Sequence, residues 1–123
     1  MKFMTIALLF LFPGIVAADN SYSGVWEVNS ELGLSYVSLH AKDGWIIAAE
    51  LDPDDDSWIA FEGAVSGNVA NVNSIYGTQA TYSYELTFTS QESATIVLKS
   101  CNPNPGFVCL APAGTSVQAV KIF

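Results

Sequence analysis

Few side chains in this sequence are equipped for chemistry, and spacing limits what each could do. His40 is the only histidine. A nucleophilic triad needs it beside a nucleophile and an acid. Its neighbours Lys42 and Asp43 flank a tight turn, and no G-x-S-x-G segment lies near, so His40 reads as an ordinary strand residue. Glu50 and Glu62 could pair as acid and base. Scattered surface acids account for them equally well. No catalytic residue is assigned, no cofactor is expected, and the chain is not expected to be an enzyme.

Asp52, Asp54 and Asp56 have the D-x-D-x-D spacing of a calcium loop. The sixth loop position would be Ser57 instead of glycine, and the twelfth Gly63 instead of glutamate, which excludes an EF-hand. A weak, irregular calcium site on these three aspartates and a solvated acidic turn are the two readings left. Cys101 and Cys109 are the only cysteines. In an exported chain an even count reads as a disulfide. The ring between them, CNPNPGFVC, holds two prolines and a glycine and must turn sharply. A two-thiolate metal site is the rival, but neither histidine nor further cysteine is nearby.

The elements that would carry these residues are strands. Asp43-Gly44 between apolar-rich runs marks a hairpin with a type I′ turn. A two-residue turn there pairs Lys42 with Trp45, His40 with Ile47, Ser38 with Ala49 and Tyr36 with Leu51 on one face. Ala41–Ile46, Leu39–Ala48 and Val37–Glu50 take the other. Neither face is purely polar, so one lines a core and the other is partly covered by a neighbour, a ligand or a second copy. A one-residue slip would exchange the faces. Further strands are expected at Tyr22 to Val28, Trp58 to Val65, Val69 to Tyr76, Ala80 to Phe88, around Ala94 to Leu98, and Ser116 to Phe123. Ala80, Tyr82, Tyr84, Leu86 and Phe88 face one way. A three-residue turn at Gln91–Ser93 would set Phe88 beside Ile96 and Leu86 beside Leu98. No segment has helical periodicity. Eight strands joined by short turns predict an all-β, antiparallel up-and-down meander barrel. A small two-sheet sandwich is the alternative.

Of the 123 residues, the first 18 read as a secretory signal peptide. Lys2 precedes the apolar run Phe3 to Phe12, and Val16-Ala17-Ala18 offers small residues for cleavage before Asp19. Ten apolar residues are too few to span a bilayer. Residues 19–123 then form one β-barrel domain, exported to the periplasm or the extracellular medium, with no membrane anchor after signal removal. That domain sets three lysines against twelve acids, a net charge of about −9, and arginine is absent. Nucleic acid, which demands a basic patch, is excluded as a partner. Anionic membrane surfaces are disfavoured.

Ser23-Gly24-Val25-Trp26, then Asn29, then Glu31-Leu32-Gly33, resembles the opening of a group of small exported bacterial β-domains with an S-G-x-W…E-x-G start. Trp58, after the aspartate-rich turn, fits the group's next feature. The resemblance covers about Ser23 to Gly63, and the group has no established activity to carry over. The opening also looks loosely like avidin- and lipocalin-like barrels, whose first strand starts with G-x-W. Avidin-like proteins keep asparagine and serine near that tryptophan for their ligand, and Asn29 and Ser35 hold comparable places. The later paired tryptophans of avidins have no counterpart here.

The function expected is a binding or interaction module of unknown ligand, taking a small apolar molecule or a protein partner, with a homo-oligomer left open. Trp26, Asn29, Ser35, Tyr36, Trp45, Trp58, Tyr82 and Tyr84 are the candidate ligand-binding residues. One alternative is an inhibitor of an extracellular enzyme that uses the 101–109 ring, with Pro103, Pro105 and Phe107, as its probe. The other is a weak calcium-binding surface protein. A hollow apolar interior favours the first reading, and a filled barrel with a protruding ring favours the inhibitor.

Overall fold

The structure, a computed structural model, describes residues 19–123. The expected signal peptide falls on residues 1–18, outside that range. Eight strands follow in chain order: β1 Gly24–Ser30, β2 Gly33–Lys42, β3 Trp45–Asp52, β4 Ser57–Ser66, β5 Val69–Gly77, β6 Ala80–Phe88, β7 Ser93–Pro103 and β8 Ser116–Lys121. Each pairs antiparallel with the next and β8 returns to β1, closing an up-and-down barrel instead of a sandwich. The closing seam sets Trp26 against Lys121, Glu27 against Val120 and Val28 against Ala119. Beyond it, the Val25 N–H donates to the Phe123 carbonyl at 2.9 Å and the Ile122 N–H to the Val25 carbonyl at 2.8 Å.

Asp43 and Gly44 have φ of 53° and 76°. Positive φ at both central residues is what a type I′ turn requires. The register that follows pairs Lys42 with Trp45 and runs to Tyr36 with Leu51. Leu39, Ala41, Ile46 and Ala48 point inward and are buried, while Trp45, Ile47 and Leu51 stand exposed on the outer face.

Three expectations are corrected. β1 starts at Gly24, because Asp19–Tyr22 forms a 3₁₀ turn that takes in Tyr22, where the first strand was expected to begin. Tyr22 is drawn out of the sheet by its ring, which stacks on Phe88 at 3.9 Å. The β6–β7 turn is centred on Gln91, one residue earlier than a Gln91–Ser93 turn, so Leu86 lies opposite Ile96 and Phe88 opposite Ala94. Its register is held by the Thr89 N–H donating to the Ser93 carbonyl at 2.9 Å. The last strand stops at Lys121.

The meander sorts its connections between two ends. The tight turns β2–β3, β4–β5 and β6–β7 gather at one end with both chain ends of the barrel. There the 3₁₀ turn acts as a plug. Trp26 is 2% exposed, tilts against Phe88 at 5.5 Å, and donates its Nε1–H to the Tyr22 carbonyl at 3.0 Å. Ser23 pins the plug to β2: its Oγ accepts from the Ala41 N–H at 2.9 Å and donates to the Ala41 carbonyl at 3.2 Å. Lys121 donates to the Ser21 carbonyl and lies 5.5 Å from the Trp26 ring centre.

Gly63 lets β4 and β5 meet closely. A Cβ there would collide with the Asn71 carbonyl and the Val72 Cα of the neighbouring strand. Gly63→Ala is expected to cost about 1–3 kcal/mol, as overpacking does, which lowers the melting temperature by roughly 4–8 °C per kcal/mol for a domain near this size. Thermal melting by circular dichroism measures it. An unchanged melting temperature would mean the two strands separate without penalty.

Candidate functional site

The other end of the barrel carries the β1–β2, β3–β4, β5–β6 and β7–β8 connections, and there the interior is hollow. A cavity of about 160 Å³ opens between them. Its walls are aliphatic: Val28 from β1, Ile59 from β4, Ile96 and Leu98 from β7, and Val117 from β8. Tyr82 and Tyr84, neighbours on the inward face of β6, stand with ring centres 5.7 Å apart. Phe61 meets Tyr84 edge-on at 5.2 Å and joins the cavity's aromatic wall to the core below.

Three acids also stand in the lining, Glu50, Asp52 and Asp55. Glu50 lies on the inward face of β3, with Val37 opposite it on β2 and Ile59 opposite it on β4. Burial raises its pKa above the ordinary carboxylate range, and the neighbouring charge of Asp52 raises it further, while hydrogen bonding with Ser35 acts the other way. Burial also raises the pKa of Tyr82 and of Tyr84, each pushed further by Glu50. The carboxyl and the two phenols, each half-buried, line the same cavity. Glu62 lies across from Ile47, on the opposite face of the sheet from Glu50, so the structure does not bring these two acids together as a pair.

The mouth is shaped by the long β7–β8 connection. Cys101 and Cys109 are bonded, with Cα atoms 6.2 Å apart. Asn104, inside the ring, donates its side-chain N–H to the carbonyls of Gly77 and Thr78 at 3.1 and 3.3 Å, and its backbone N–H to the Gln79 carbonyl at 2.8 Å. The ring is thereby fastened to the β5–β6 turn, and the chain leaving it sets Leu110 and Ala111 at the rim. The tip of the ring, Phe107 and Val108, is exposed.

Of the candidate ligand-binding residues, Ser35, Trp58, Tyr82 and Tyr84 come together around this cavity. Trp58 does so from the rim, stacked on Tyr76 at 4.3 Å. Trp26 lies in the plugged end. Asn29 and Trp45 are exposed, and Tyr36 pairs with Leu51 on the outer face. Glu50 was absent from the candidate set. The signal that marks it is the Asp43-Gly44 register, which puts it on the same face as Leu39 and Ala41.

The acidic turn spends its carboxylates on itself. Asp52 Oδ1 accepts the Asp54 N–H at 2.8 Å. Asp55 Oδ1 accepts the Ser57 N–H at 2.9 Å, and Oδ2 accepts from Gln79 at 3.0 Å. Hydrogen bonds from Ser57 hold the Asp55 pKa below the usual range. Among the described residues no three His, Cys, Asp or Glu side chains gather as a metal-ligand set.

No known protein family, curated protein or solved structure matches this chain. The site must therefore be read from its own geometry.

A carboxyl whose folded pKa is raised stabilises the fold relative to the unfolded chain only while protonated. That contribution is present below the ordinary glutamate value of 4.5 and is lost as pH rises through the raised folded value. Glu50→Gln keeps the shape and removes the charge. It is expected to raise the melting temperature at neutral pH by at least a few degrees, at roughly 4–8 °C per kcal/mol, and to flatten the pH dependence above pH 4.5. Melting curves of both proteins across pH check this, and a less stable variant at neutral pH would contradict it. Calcium at 0.1 mM, compared with chelator at fixed ionic strength, is expected to leave the wild-type melting temperature unchanged.

Proposed function

We propose that this protein is an exported binding barrel that takes a small, largely apolar molecule into its open end. The observation that carries the reading is the asymmetry of the interior. One end is packed with Tyr22, Trp26 and Phe88, while the other keeps a cavity of about 160 Å³ between aliphatic walls and two tyrosines. Ligand sites are concave, mostly apolar and furnished with a few convergent polar groups, and the mouths of small barrels hold one small ligand. An engineered apolar cavity of about 150 Å³ takes up benzene, so the space suits a single ring with a short arm. The Cys101–Cys109 bond is compatible with an oxidising, exported compartment, and its part in binding is to hold the rim.

The inhibitor reading draws on the exposed ring tip, Phe107 and Val108. Two features favour the cavity over it: the interior is not filled, and Asn104 ties the ring down against the β5–β6 turn. The reading is tested by filling the space. Val117→Phe is expected to abolish binding of a neutral one-ring probe, 2-phenylethanol, followed by amide chemical-shift changes of open-end residues, while the protein still melts cooperatively. Shifts that persist in the filled variant, or that map to the plugged end, would overturn it. Removing the bond by Cys101→Ser with Cys109→Ser is expected to cost about 2.5 kcal/mol of stability on the chain-entropy model and to weaken probe binding at least severalfold. Unchanged binding would show that the ring does not hold the rim.

A further inference from the structure

Every ionisable side chain in the cavity lining is an acid or a phenol. Glu50, Asp52 and Asp55 contribute carboxylates to the cavity lining, and Tyr82 and Tyr84 contribute phenols. The described cations lie outside that lining. Lys42 is exposed beside the β2–β3 turn, Lys99 is exposed on β7 next in the chain to the lining residue Leu98, and Lys121 is engaged with Ser21 and Trp26 at the plugged end. His40 is exposed on β2. The carboxylates are not equivalent. Asp52 caps the turn through Asp54, and Asp55 is held by Ser57 and Gln79. Glu50 faces the hollow interior with Ser35 as its hydrogen-bonding neighbour. A buried charge is retained at low cost only when something of opposite sign pairs with it.

We infer that the ligand is a cationic amine with a one-ring apolar body, its ammonium seated between Glu50 and the two tyrosines and its ring against the aliphatic wall. The inference rests on the cavity-binding reading and adds the charge of the occupant. An ammonium supplies a positive charge for Glu50 and a cation for the tyrosine ring faces. Val28, Leu98 and Val117 need only an apolar surface opposite them. An anion would enter a space walled by low-dielectric side chains and lined with carboxylates, where the field opposes it. A neutral ring would fill the walls but leave Glu50 unpaired.

Three compounds of one shape test this by calorimetric titration of the unaltered protein: 2-phenylethylamine, 2-phenylethanol and phenylacetate. The amine is expected to bind at least tenfold more tightly than the alcohol, and phenylacetate not measurably. Amine affinity should rise with pH as Glu50 ionises. In Glu50→Gln the amine should lose its advantage over the alcohol. An alcohol that binds the unaltered protein as tightly as the amine would overturn the charge assignment and leave the cavity reading standing. So would an amine indifferent to Glu50→Gln. If none of the three binds, both readings fail. The three-compound comparison on the unaltered chain needs no variant, so the inference can be refuted even if the substitution disturbs folding.

Discussion

Closure of the sheet between β1 and β8 is the constraint on which the rest of this molecule depends. Three residue pairs and three flanking hydrogen bonds join strands from opposite ends of the domain. Without that seam both strands would present open edges, and a row of unpaired backbone groups invites association with other chains. With it, the inward face of every strand is committed to one enclosed interior. Eight strands leave space for side chains or for one small ligand, and this interior is divided between the two. Alanines at positions 41, 70, 94 and 119 line the packed portion, leaving room for the large rings of Tyr22, Trp26 and Phe88. At the other end medium-sized aliphatic side chains stop short of filling the space.

The packed end and the hollow end answer different demands. Tyr22, Trp26 and Phe88 bury large apolar areas and supply much of what holds a domain of this size together. The hollow end forgoes that packing and also accepts Glu50 on an inward face. A stability-driven core would carry an apolar residue there, and desolvation of the carboxyl is a cost to the fold. Local departures from good packing and from polar satisfaction are expected to gather where a protein does its work, and here both fall in one place, under a rim fastened by a disulfide and by Asn104.

Much of the architecture was legible along the chain. The Asp43-Gly44 turn predicts the β2–β3 register residue by residue, because a type I′ turn admits a single pairing of its flanks. Alternation from Ala80 to Phe88 predicts the inward set of β6, and the cysteine pair predicts the disulfide. Candidate residues for the site were partly legible. Ser35, Tyr82, Tyr84 and Trp58 come to the cavity, whereas Trp26 is drawn to the plug. A tryptophan's composition says that it is large and apolar, and only its height along the barrel says whether it packs a floor or borders a mouth. Glu50 was weighed only as one of an acid pair and otherwise read as a surface acid, because an acid in an alternating strand reads as solvated unless its face is known.

Sequence alone therefore determined the strand count, the tight turns, the antiparallel order and the disulfide, since each is written in contacts between residues near one another in the chain. Tertiary structure decided which face of the β2–β3 hairpin turns inward, which end is plugged, and that Glu50, Ser35, Tyr82 and Tyr84 line one cavity. Those outcomes depend on where the first and last strands close. A closed ring assigns inside and outside to all eight strands at once, and no single strand carries that information.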